Sequence, residues 1–85
     1  MNHKHQKTLQ RLFAHPMDLK LRWKDIQSLF EALGAEVHET HSNRIKVIVA
    51  DMEETFPRPH KGTVTDKNEI VRIRHYLSAM GGSPD

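Results

Sequence analysis

Seven histidines are spread over 85 residues, and imidazole is the side chain that both accepts and releases a proton near neutral pH. His60 is set apart by its neighbours. In Arg58-Pro59-His60-Lys61-Gly62 it sits between two cations in a proline-stiffened turn. That grouping suits cleavage of RNA without a metal. The imidazole takes the proton of a ribose 2′-hydroxyl, the cations offset charge on the five-coordinate phosphorus, and a 2′,3′-cyclic phosphate is left. DNA lacks the hydroxyl and does not react this way. The competing reading is an exposed loop histidine.

The remaining histidines have plainer explanations. His3 and His5 belong to a polar terminus and read as solvated. His15 falls near the C-terminal end of a first helix, where an imidazole can bind carbonyls. His75 lies away from the apolar stripe of the last helix and reads as surface. His38 and His41 are three apart on a strand, so they face opposite sides and form no metal pair unless the strand ends first. No HExxH, carboxylate cluster or glycine-rich phosphate loop occurs. With no cysteine there is no thiolate zinc site, thiol nucleophile or disulfide. The expectation is a protein with no metal and no cofactor.

Several elements must position these groups. Leu9, Leu12 and Phe13 have helical spacing and predict a short helix over 5–14, stopped by Pro16. Residues 17–21 read as a connector. Trp23, Ile26, Leu29, Phe30 and Leu33 form one buried stripe of a second helix, closed by Gly34. The stretch 35–41 contains Val37 as its only large apolar residue and suits an edge strand. Residues 44–50 alternate Ile45, Val47 and Val49 with Arg44, Lys46 and Ile48, and predict the central strand. Ser42-Asn43 between them is hairpin chemistry. A third strand over 52–56 is stopped by Pro57 and Pro59. Asp66 caps the last helix, with Glu69 completing a capping box, and Ile70, Ile73, Leu77 and Met80 form its stripe. The class is α+β, with helices on one face of a three-stranded antiparallel sheet.

A chain of 85 residues with 36% hydrophobic side chains holds one small core, which excludes multidomain enzymes. Mean hydropathy is −0.68, and no apolar run reaches the roughly 18 residues a membrane span needs. Met1–Lys7 is polar and does not read as a secretory signal, so the expected location is cytoplasmic, with no membrane partner. The net charge of +2 is unevenly distributed. Six cations in Met1–Lys24 face Asp18 alone, seven acids in Asp25–Pro57 face Arg44 and Lys46, and the remainder is again basic. A polyanion can use the two basic ends if folding brings them together. The plainer reading is a solvated helix face.

Between Leu21 and Gly81, in order and spacing more than in identity, the chain resembles the HicA family, the small RNA-cleaving toxins of HicA/HicB toxin–antitoxin systems. The segments that carry the likeness are Leu33-Gly34-Ala35 at a helix end, the hairpin turn opening into the central strand, Arg58-Pro59-His60-Lys61-Gly62, and the last helix closing over Leu77–Gly81. The resemblance implies a fold like that of double-stranded-RNA-binding domains. It divides the chain into an N-terminal helical extension (1–20), a HicA-like αβββα domain (21–81) and a disordered tail (82–85). It implies a type II toxin that acts on mRNA as a metal-independent endoribonuclease. The partners it implies are RNA and a HicB-like antitoxin protein, the chain being a monomer or in a small complex with that antitoxin.

The family's Gly-Ser-His motif, where the turn enters the central strand, is replaced here by Ser42-Asn43-Arg44. Arg44 stays protonated, so it binds phosphate but accepts no proton. Proton transfer then falls to His60, with His41 as the alternative, while Arg44, Lys46, Arg58 and Lys61 grip the RNA. His60 and Arg44 are expected to converge on one phosphodiester. The other readings are a non-catalytic RNA-binding domain and a protein-interaction domain of the same fold.

Overall fold

Helical spacing in the chain becomes helix and alternation becomes sheet. The computed structural model describes residues 3–40 and 42–81, with His60 described through its main chain only. α1 spans His3–Leu12. A two-residue strand β1, Leu21–Arg22, leads directly into α2, Trp23–Ala32. β2 (Glu36–Glu39), β3 (Arg44–Val49) and β4 (Met52–Pro57) follow, then a 3₁₀ turn at His60–Gly62, a second short strand β5 (Thr63–Val64), and α3, Lys67–Ala79. The predicted tail over 82–85 lies outside the described residues.

The main sheet is antiparallel in the order β2-β3-β4, with β3 central as its alternation requires. Ile45 stands opposite Phe56, and Val47 opposite both Val37 and Glu54. Ile45, Val47 and Phe56 are buried against the helices, so the helices cover one face. Arg44, Lys46 and Ile48 fall by alternation on the other, open face. There Lys46 Nζ reaches Glu53 at 2.6 Å and His38 Nε2 lies 3.7 Å from Glu36. Asn43 takes φ 61° in the first hairpin, the left-handed conformation that asparagine tolerates. The second hairpin joins paired Val49 and Met52 through Ala50-Asp51, and Ala50 takes φ 54° there.

Four rings occupy the centre. Phe30 and Phe56 stack with centroids 6.1 Å apart, and Tyr76 meets both edge-on at 5.7 and 6.1 Å, separations at which aromatic pairs attract. Trp23 closes the group at 6.0 Å from Phe56. Tyr76 is the inward residue of α3 that the predicted stripe lacks. Its hydroxyl reaches the carbonyls of Val47 and Met52, both at 3.1 Å.

α1 belongs to this same core. Leu9 and Leu12 are buried in it, and Lys4 Nζ approaches Asp25 at 3.7 Å. The carbonyls at the end of α1 are bound by Arg74, which donates from Nε to Leu12 and from Nη2 to Ala14 at 3.1 Å. His15, expected in that role, is exposed. A fork of five fixed donors on a distant helix serves two carbonyls at once, which an imidazole does not. At the start of α3, Asp66 accepts from the Asn68 N–H at 2.8 Å as expected of a cap. Glu69 does not complete a capping box; its carboxylate accepts from Arg72 Nη1 at 3.1 and 3.3 Å, since a cation three residues on is the stronger partner.

Burial, with the charge of Glu54 adding to it, holds the Tyr76 phenol above its ordinary 10.0. The unfolded chain therefore loses this proton first as pH rises, and stability must fall above about 10.0. As this is the only tyrosine, its phenolate absorbance reports the shift directly. Tyr76→Phe is expected to cost about 1–2 kcal/mol at neutral pH and to remove that alkaline component, both measured by urea unfolding.

Candidate nucleic-acid interface

β1 and β5 pair antiparallel, with Leu21 opposite Val64 and Arg22 opposite Thr63. Leu21 and Val64 are buried, so the ladder is held by its apolar side while Arg22 is exposed. This pairing brings the basic run Lys20–Lys24 beside the turn His60–Gly62. The two basic ends of the chain thus meet, which their separation in sequence leaves open. The signals for the pairing are small: a buried Leu21 ahead of the helix and the β-branched run Thr63-Val64-Thr65 after Gly62.

Between α2 and the turn runs an open groove of about 680 Å³. Lys24, Gln27 and Ser28 line it from α2, and Arg58, Pro59 and Lys61 line it from the other side. Arg58 is ion-paired with Glu39, which also lines the groove. Lys24 and Lys61 are exposed, and among the described residues neither has an ion-pair partner. Glu31 is the other carboxylate of the lining. The lining thus holds three cations, Lys24, Arg58 and Lys61, against two carboxylates, Glu31 and Glu39, a balance that a polyanion can use.

The turn is fixed at both ends. The Arg58 N–H donates to the Asn43 carbonyl at 3.1 Å, tying it to the first hairpin, and the Gly62 N–H donates to the Pro59 carbonyl at 3.2 Å. Inside it Lys61 takes φ 60°, ψ 16°, and Gly62 follows at φ +76°. A left-handed conformation costs a side-chain-bearing residue roughly 1–2 kcal/mol. Strain of this kind is concentrated at functional sites.

The cations named from the sequence divide between two faces. Arg58 and Lys61 line the groove, whereas Arg44 and Lys46 do not and lie on the open face of the sheet, Lys46 paired with Glu53. Arg44 stands opposite Pro57 in the register, at the end of the sheet from which Arg58 departs. Lys24, absent from the sequence-based set, joins the groove because β1 feeds straight into α2. His60 opens the 3₁₀ turn between two groove-lining residues, and its side chain is not described; His41 lies outside the described residues. Among the described residues no three His, Asp or Glu side chains gather to hold a metal ion. None of the described helices is long and apolar enough to cross a membrane.

A scan of protein-family models, a search of curated proteins and a search of solved structures each found no match to this chain.

Lys61→Gly relieves the left-handed turn while removing a groove cation. The variant is expected to be more stable than the wild type by about 0.5–1 kcal/mol, read as a higher urea midpoint with unchanged slope. A lowered midpoint would mean that the Lys61 side chain contributes more to the fold than its backbone strain costs.

Proposed function

We propose that this chain is a HicA-like toxin of a type II toxin–antitoxin pair that binds RNA in the groove between α2 and the His60–Gly62 turn and cuts it without a metal. The observation that carries the reading is the meeting of Lys24 and Lys61, from the two basic ends of the sequence, on either side of one groove next to His60. Support also comes from the order α2-β2-β3-β4-α3, an antiparallel three-stranded sheet with helices on one face. That is the order of a double-stranded-RNA-binding-domain-like fold.

In this reading Lys24, Lys61 and Arg58 hold the RNA backbone. Arg44 and Lys46 meet a second stretch of the same strand where it crosses the end of the sheet. His60, with His41 as the alternative, takes the 2′-hydroxyl proton. The 2′-oxygen attacks phosphorus, the P–O5′ bond breaks, the departing oxygen takes up a proton, and a 2′,3′-cyclic phosphate remains. The bound cations act on the charge at phosphorus, and the groove holds the strand for in-line attack. A HicB-like antitoxin would silence the protein by covering the groove.

Purified protein is expected to cut single-stranded RNA in EDTA and to leave cyclic-phosphate ends, and His60→Ala is expected to abolish cutting with an unchanged urea midpoint. Lys24→Ala and Lys61→Ala should each weaken RNA binding and lower the salt slope of log affinity by about 0.7 per lost phosphate contact. Salt-sensitive binding with no cleavage would instead select a non-catalytic RNA-binding domain. No binding at low salt would end the reading.

A further inference from the structure

Beside the groove, and sharing Trp23, Arg58 and Pro59 with it, is a narrower cleft of about 140 Å³. Phe56, Pro57, Val64 and Ile73 give it apolar walls, Thr63 and Thr65 add hydroxyls, and Asp66 and Glu69 are its carboxylates. A cavity of roughly 150 Å³ holds one benzene ring, while drug-sized ligands take about 300–1,000 Å³. The cleft therefore takes one flat six-membered ring, and because it shares Trp23, Arg58 and Pro59 with the groove, the rest of a larger base can stay in the groove. Its two carboxylates outnumber its one cation, Arg58, the reverse of the groove, so the occupant is not the backbone of an RNA lying in the groove. It is something attached to that backbone.

The chemistry of the cleft narrows the choice. An ionised carboxylate only accepts hydrogen bonds, so the ring must present donors. Guanine presents N1–H and the 2-amino group side by side on its six-membered ring, the arrangement that a carboxylate accepts through two oxygens. Uracil offers a single N–H between two acceptors. Both oxygens of Glu69 already accept from Arg72. Asp66 gives the Asn68 N–H one lone pair of one oxygen, and among the described residues its other oxygen has no hydrogen-bond partner, so both of its oxygens can still accept. Asp66 is also exposed, so a base can reach it.

We infer that this cleft receives an unpaired guanine whose N1–H and 2-amino group are held by Asp66, while the flanking phosphates lie on Lys24 and Lys61. The inference rests on the RNA-binding reading and adds base selection to it. The apolar walls contact the ring faces, and the Thr63 and Thr65 hydroxyls, which also line the cleft, are the donors available to the guanine O6. Selection arises because the carboxylate only accepts, so a base with the paired donors is held and one that presents acceptors there is repelled.

The test uses fluorescently labelled 2′-O-methyl octanucleotides, which resist cleavage: all-uridine, uridine with one central guanosine, and the same with inosine, which lacks the 2-amino group. By fluorescence anisotropy the wild type is expected to bind the guanosine oligonucleotide about tenfold more tightly than the all-uridine one, with inosine between. Asp66→Asn keeps the helix cap, since asparagine caps as well as aspartate, but places a donor where an acceptor is needed. It should bring the guanosine affinity down to that for uridine and leave the latter unchanged. Equal wild-type affinities for guanosine and uridine, or a preference that survives Asp66→Asn, would overturn the cleft assignment and leave the groove reading standing. Failure to bind either oligonucleotide would overturn both.

Discussion

Five main-chain carbonyls accept hydrogen bonds from three side chains of α3, and the arrangement of the layers depends on them. The Tyr76 hydroxyl serves Val47 and Met52, Arg72 serves Thr55 at 2.7 Å, and Arg74 serves Leu12 and Ala14. One helix is thereby tied to β3, β4 and the end of α1 by bonds whose directions are fixed, which apolar contact alone does not provide. Arg72 does the most. Burial works against its charge, but Glu54 at 2.6 Å and Glu69 outweigh that and hold its pKa above the ordinary value. Its guanidinium also lies 5.1 Å from the centroid of Phe56, joining the polar clamp to the aromatic centre.

The groove follows from that clamp. With α3 held against β4, the chain between them must turn back over the end of the sheet, and the turn at His60–Gly62 delivers Thr63-Val64 to Leu21-Arg22. Two buried aliphatic side chains across a two-residue ladder then set the distance between the cations on α2 and those on the turn. Lys61 accepts an unfavourable backbone conformation in the process. Its replacement by glycine would relax the turn, so the lysine stands there against the local preference for stability.

Much of this could be read from the residues. The stripe from Trp23 to Leu33 with Gly34 behind it gave α2 its position, and Gly34 takes φ +94° just past the helix. Alternation in 44–49 identified the central strand, and Asn43 the hairpin. The charge distribution pointed to the two ends that meet. What could not be read were contacts made by residues without periodicity. Two-residue strands have too few positions to show alternation: residues 17–21 read as a connector, Thr63-Val64 was assigned to no element, and Lys24 was left out of the candidate site. The roles of Arg72, Arg74 and Tyr76 depend on carbonyls 17 to 62 positions away in the chain, to which no local pattern refers. A capping box was expected at Glu69 because only the residues before it were weighed, whereas its partner, Arg72, lies three positions after it.

The grip of Arg74 on the end of α1 has a bearing on how the molecule is made. During synthesis the first helix leaves the ribosome long before the segment that will hold it. Until the later segments emerge, the first helix has α2 to pack on but no Arg74 at its last carbonyls, and Leu21 has no Val64. The middle of the chain can form its hairpins as it appears, but the start waits for the finish. Both lysines of the groove flank the junction of Leu21 with Val64, so the groove is assembled only after translation has passed Val64.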